Sequence, residues 1–181
     1  QKIMTSAELL NNMFIELKQK FLNPTLPGLS SGFPNLDSLT QGFQKSDLII
    51  IAARPSMGKT ALSLNIALNS VRISRLPVLF FSLEMSKEQI MYRILASETG
   101  INQTRLKSGK LYQNDWIKLN KTIKIISKLP LFIDDTNNFS LQEIRSKIKT
   151  IILEQTDIGL VIIDYLQLMQ NSEFKHCLLY T

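Results

Sequence analysis

The chain has 181 residues, of which 44% are hydrophobic and 20% charged; this suits one domain with a buried core and an ordinary globular composition. Its 21 Lys+Arg against 15 Asp+Glu leave a formal charge of +6, a weak bias toward polyanions that a merely basic protein would share. The single cysteine, Cys177, excludes an intrachain disulfide and fits a reducing compartment; no apolar run is long enough to span a bilayer, and the first residues lack the apolar core of a secretory signal.

In chain order, Leu9, Leu10, Met13, Phe14 and Leu17 recur at helical spacing. Thr5 and Glu8 are placed to form a capping box, and Pro24 and Pro27 end the segment. The pattern predicts a linker helix from Thr5 to Lys20 and an extended connection from Phe21 to Gly32. A helix packed on its own domain would have the same sequence. From Asp47 the pattern changes to alternating strands and helices. Leu48 to Ala53 reads as a buried parallel strand, because it is continuously apolar. Lys59 to Arg72 reads as a helix and Val78 to Leu83 as a second strand. Ser86 and Gln89 open a helix through Thr99. Asn102 to Lys128 reads as mostly helical, with a break near Gly109. Leu131 to Ile133 is a short strand, Ser140 and Glu143 cap a helix to about Glu154, and Leu160 to Asp164 is a last strand. This alternation predicts an α/β fold, a parallel sheet with helices on its faces and right-handed crossovers.

The most specific local signal is Ala53-Arg54-Pro55-Ser56-Met57-Gly58-Lys59-Thr60, between an expected strand and an expected helix. That is the setting of a phosphate-binding loop. Unpaired N–H groups at a helix start, together with the helix dipole, make an anion site. Gly58 would let the backbone approach phosphates, Lys59 would place its ammonium on the β- and γ-phosphates, and Thr60 would ligate Mg²⁺. Ala53 stands where the general pattern has its first glycine; the loop tolerates the extra methyl if φ there is negative.

Hydrolysis also needs an acid for the metal and a base for water. Asp164 ends an apolar strand, where ligands of open α/β sheets bind, and is the expected Mg²⁺ partner. Glu84 follows the strand Val78 to Leu83 at the same rim. By residue chemistry alone it is a base for water or an ordinary surface acid, in equal measure. Asp134 and Asp135 read as a solvated turn or helix cap, with no catalytic role assigned. Gln167 could sense a γ-phosphate, touch DNA or be structural, and His176 with Cys177 falls short of a zinc site.

Several segments together resemble the replicative DNA helicases of the DnaB type. They are Gly32-Phe33 with Leu36-Asp37, Ala52 through Thr60, Phe81-Ser82-Leu83-Glu84-Met85-Ser86, Gly109-Lys110-Leu111 with Trp116, Leu131 through Asp135, and Ile163 through Met169. They run in the family's order and at its approximate spacing, and Ala53 in place of glycine also occurs in that family. The resemblance implies a RecA-like P-loop NTPase core over 33–170, preceded by a linker helix and connection over 1–32 and followed by a divergent tail over 171–181. It implies ATP and Mg²⁺ as cofactors, bound by Lys59 and Thr60, with Glu84 as catalytic base and Asp164 as the Walker B acid. It also implies a hexameric ring on single-stranded DNA, with the helix Thr5 to Lys20 docked on a neighbouring subunit, and partnership with a primase and a helicase loader. The chain by itself is expected to bind nucleotide and to turn it over weakly or not at all. The resemblance and the Ile-, Leu-, Lys- and Asn-rich composition fit a bacterial cytoplasm or a plastid stroma.

Overall fold

A computed structural model describes residues 5–22, 26–54, 56–136, 140–155 and 157–165. The elements are α1 (Ser6–Leu22), α2 (Pro34–Thr40), α3 (Lys59–Ser74), β1 (Val78–Ser82), α4 (Lys87–Thr99), α5 (Gln103–Ser108), α6 (Gln113–Ile126), β2 (Leu131–Asp134), α7 (Leu141–Gln155) and β3 (Leu160–Asp164). The three strands form one parallel sheet in the order β2-β1-β3. The expected α/β architecture is therefore present.

β1 is the central strand and is buried along its whole length, which explains its apolar run from Val78 to Phe81. Successive side chains of a strand point to opposite faces. Val78 and Phe80 accordingly pack with Leu64, Ala67, Leu68 and Val71 of α3 and with Ile90 and Ile94 of α4. Leu79 and Phe81 pack on the other face with Ile144 of α7. A smaller cluster of Ile101, Leu106 and Leu119 fastens α5 and α6 beneath α4.

The expected helix starts are present as local hydrogen bonds. Thr5 and Glu8 form their reciprocal box, as do Ser140 and Glu143. The Ser86 hydroxyl accepts from the Gln89 N–H at the start of α4. Gly100 and Gly109 end α4 and α5 in the left-handed conformation that glycine adopts without strain.

Three features bear on those expectations or add to them. Leu48 to Ala53 is not a buried parallel strand: it joins no ladder of the sheet, and Leu48 is 87% exposed. A strand needs a partner for its N–H and C=O groups as well as apolar side chains. Here Leu48 to Ala53 and Leu160 to Tyr165 line a shared cleft of about 410 Å³. The second feature is α1, expected as a linker helix. All of its described side chains are exposed, Phe14 at 62%, so the helix does not pack on its own domain, the alternative its sequence had left open.

The third is a knot ahead of the sheet. Leu29 and Phe43 form an antiparallel bridge around α2. Inside it, the Asp37 carboxylate, 8% exposed, accepts from Ser31 N at 2.8 Å, Ser31 Oγ at 2.6 Å and Ser30 Oγ at 2.6 Å. Ser70 of α3 donates to the Ser30 carbonyl and ties the knot to the sheet layer. Gly32 sits at φ +78, where a Cβ would lie 2.2 Å from Cβ of Asn69.

Burial raises the Asp37 pKa, but hydrogen bonds from Ser30, Ser31 and the Gly32 N–H outweigh it and hold the carboxyl below its ordinary value. A depressed carboxyl contributes stability that is present above its unfolded pKa and lost as pH falls through the folded one. Asp37→Ala orphans two buried donors of Ser31 and the half-buried Ser30 hydroxyl, and is expected to cost about 3 kcal/mol. Urea unfolding at neutral pH checks this, and a change under about 0.5 kcal/mol would contradict it. The difference between wild type and variant should shrink in acid.

Candidate functional site

The carboxyl ends of β1 and β3 and the start of α3 meet at one rim of the sheet. Strand register brings them there: Ser82 pairs with Asp164, and the Leu83 N–H donates to the Asp164 carbonyl at 2.8 Å. Asp164 is thereby fixed as the last residue of β3, 5% exposed, with its carboxylate turned toward α3. Its neighbour Tyr165 follows on a cis peptide bond.

The loop before α3 is held by its own backbone. Met57 N donates to the Arg54 carbonyl at 3.3 Å, and Leu62 N to the Gly58 carbonyl at 2.9 Å. Ser56 and Gly58 have φ of 64 and 87. A Cβ on Gly58 would meet nothing within 4 Å, so the backbone angle, rather than crowding by the chain, calls for glycine there. Ala53 is not among the residues of positive φ, the condition under which alanine fits its position. Ala53, Arg54, Ser56, Met57 and Gly58 are all exposed; Pro55 lies outside the described residues. The N-cap residue Gly58 offers no side-chain cap and the first turn of α3 holds no acid, so among the described residues the positive end of the helix has no side-chain partner.

Three expected site residues come together. Thr60 Oγ1 donates to Asp164 Oδ2 at 2.6 Å, and Lys59 Nζ lies 3.1 Å from Asp164 Oδ1. The Lys59 ammonium also sits over the Tyr165 ring, 4.1 Å from its centroid. The Asp164 side chain is only 6% exposed and that of Lys59 26%, so this ion pair is largely shielded from solvent. Sequence reasoning did not find Tyr165 as a site residue. Its position directly after the acid was the available signal.

Glu84 lies at the same rim but outside this cluster. The Ser82 hydroxyl donates to the Met85 carbonyl at 2.7 Å and accepts from Met85 N at 3.1 Å, closing a turn that projects Glu84 into solvent. Among the described residues the Glu84 carboxylate has no hydrogen-bond or ion-pair partner, so both oxygens are free to accept a proton or a water.

Asp134 and Asp135 are engaged elsewhere. Asp134 pairs with Lys147 of α7 and accepts from Thr136. Burial raises its pKa, and the Lys147 and Thr136 hydrogen bonds outweigh this and lower it. Asp135 accepts from the Lys87 N–H at 3.0 Å, capping α4 rather than the helix that follows it; that bond, with the Lys87 charge, lowers its pKa. Gln167, His176 and Cys177 lie outside the described residues. No group of three His, Cys, Asp or Glu able to hold a metal exists among the described residues. No described helix is long and apolar enough to cross a membrane.

The profile of the DnaB-like helicase C terminal domain matches residues 28–177. A probable replicative DNA helicase of Trieres chinensis is 61% identical over 175 residues, covering 97% of this chain and 38% of that protein. The replicative DNA helicase DnaB of Nostoc sp. is 49% identical over 167 residues, covering 92% of this chain and 19% of that protein. Among solved structures, an ATPase domain superposes with a TM-score of 0.87 at 31% identity, over 96% of this chain and 61% of that one. A DnaB-like replicative helicase, solved in a study of its interactions with primase, superposes with a TM-score of 0.81 at 31% identity, over 97% of this chain and 42% of that one. The chain thus spans less than half the length of these two relatives.

Proposed function

Because this chain belongs to the family of DnaB-like helicase C-terminal domains, we propose that it is the nucleotide-binding part of an ATP-dependent replicative DNA helicase. The reading assigns the RecA-like core to 33–170 and the linker helix and connection to 1–32. The complete protein would unwind duplex DNA at the replication fork, moving on single-stranded DNA as a hexameric ring, with a primase and a helicase loader as partners. The observation that carries this is the convergence of Lys59 and Thr60 on Asp164 at the carboxyl rim of the sheet.

The donors present fit Mg²⁺. The Thr60 hydroxyl and Asp164 carboxylate are hard oxygen groups 2.6 Å apart. Two such ligands without a full protein cage suit an ion that keeps waters and is completed by phosphate oxygens. Bound there, the ion would supply charge to neutralise the β- and γ-phosphates. Thr60 would ligate directly and Asp164 through water. The N–H groups from Ala53 to Thr60 would cradle the phosphates, and Lys59 would neutralise charge on the β- and γ-oxygens. Glu84, free at the same rim, would take the proton of the water that attacks the γ-phosphorus.

The exposed α1, with Leu10, Phe14 and Leu17 unburied, supports a role in docking on a neighbouring subunit of the ring. The net charge of +6 is compatible with a nucleic acid partner. Relatives in Nostoc sp. and Trieres chinensis support a bacterial cytoplasm or plastid stroma as the compartment.

Strand displacement on a forked DNA, measured with the complete gene product, tests the reading. It should require ATP and Mg²⁺ together and a free single-stranded arm. Absence of displacement while ATP is being hydrolysed would overturn the helicase assignment.

A further inference from the structure

We propose that Tyr165 is a positioning residue for Lys59: the face of its ring, together with the Asp164 carboxylate, stations the ammonium at the rim while no phosphate is bound, and nucleotide must draw it away from both. The inference rests on the nucleotide reading of this site and goes beyond it, by naming the two groups that compete with phosphate for the ammonium.

The ammonium has two attractions on the page. Asp164 Oδ1 is 3.1 Å from Lys59 Nζ, and the centroid of the Tyr165 ring is 4.1 Å away. The first is a charge pair and the second is the attraction of a cation for the negative face of an aromatic ring. Asp164 cannot move freely, because its other oxygen holds Thr60 at 2.6 Å and its backbone is locked into the sheet through Leu83 N. Tyr165 is half-buried and directly follows Asp164, so acid and ring are delivered to Lys59 by one short stretch of chain. Lys59 itself is only partly exposed, with its side chain at 26%.

Phosphate oxygens and this resting pair compete for one ammonium. Removing the ring face destabilises the empty state and leaves the phosphate contacts in place. Tyr165→Leu, close in size but without a π face, should therefore bind Mg–ATP about 2- to 5-fold more tightly. Tyr165→Phe keeps the face and loses only the hydroxyl, and should bind as wild type does. A purely structural role for Tyr165 would give the opposite sign, weaker binding in the leucine variant.

The direct test is nuclear magnetic resonance on the 181-residue chain carrying ¹³C at the lysine ε-carbons. The Lys59 signal, assigned by its loss in Lys59→Ala, should be displaced upfield by the ring current in the empty protein. It should move toward the ordinary lysine position on adding Mg–ATP. The displacement should persist in Tyr165→Phe and vanish in Tyr165→Leu. A Lys59 signal at the ordinary position in the empty protein overturns the proposal. So does a signal that stays upfield while calorimetry shows Mg–ATP bound, or a leucine variant that binds no more tightly than wild type. An upfield signal in a chain to which Mg–ATP does not bind at all overturns instead the nucleotide reading on which the proposal stands.

Discussion

Lys59→Ala is expected to abolish Mg–ATP binding, with affinity falling at least about 100-fold. The side chain that would meet the β- and γ-phosphates is the first residue of α3, and its ammonium already lies where two acidic or electron-rich groups attract it. Hydrogen bonds to charged groups contribute about 1.5–3 kcal/mol each, so two lost contacts to phosphate reach that factor. The substitution also strips the buried Asp164 of its cation, leaving the Thr60 hydroxyl as its remaining side-chain partner among the described residues. An orphaned buried charge costs about 3 kcal/mol or more, so the variant should melt earlier as well. Titration calorimetry run below the melting transition separates the two effects. An affinity within threefold of wild type in a folded variant would remove the phosphate-loop assignment.

Glu84→Gln should behave in the opposite way, retaining binding and losing turnover. Glu84 is exposed and makes no hydrogen bond or ion pair among the described residues, so glutamine there breaks neither. What it removes is a carboxylate able to take a proton from water. General-base groups contribute about 10²–10⁴-fold, and hydrolysis by the complete gene product should fall by that order while its affinity for Mg–ATP stays within about twofold. Unchanged turnover would take the base role away from Glu84.

Local signals in the sequence were read reliably. The Thr5–Glu8 and Ser140–Glu143 boxes and the Ser86 cap each depend on residues three apart, and each is present as a hydrogen bond. The apolar run Val78 to Phe81 of β1 was legible for a different reason: a central parallel strand is covered on both faces, which favours apolar residues at successive positions. The same reasoning failed at Leu48 to Ala53. Composition reports a capacity for burial, but pairing depends on a distant partner that composition does not name. The Asp37 knot escaped notice too, since two serines and an aspartate across a turn look like ordinary loop residues until the fold buries them.

The site was legible in its parts and partly in its assembly. Thr60 and Asp164 are separated by 104 positions, and only the rule that ligands gather at the carboxyl ends of strands placed them together. Glu84 was undecided on chemistry alone, and family resemblance favoured it as base. The structure adds that its carboxylate is exposed and, among the described residues, has no hydrogen-bond or ion-pair partner. Tyr165 lies inside a family-like motif but carries no legible role there, because a ring's attraction for a cation leaves no periodic trace in sequence.

The most direct test of the central claim is a calorimetric titration of the 181-residue chain with ATP, once with Mg²⁺ and once with EDTA. The convergence of Lys59, Thr60 and Asp164 predicts one saturable site that is markedly weaker without the metal. Absence of binding by the folded chain in the presence of Mg²⁺ would contradict it.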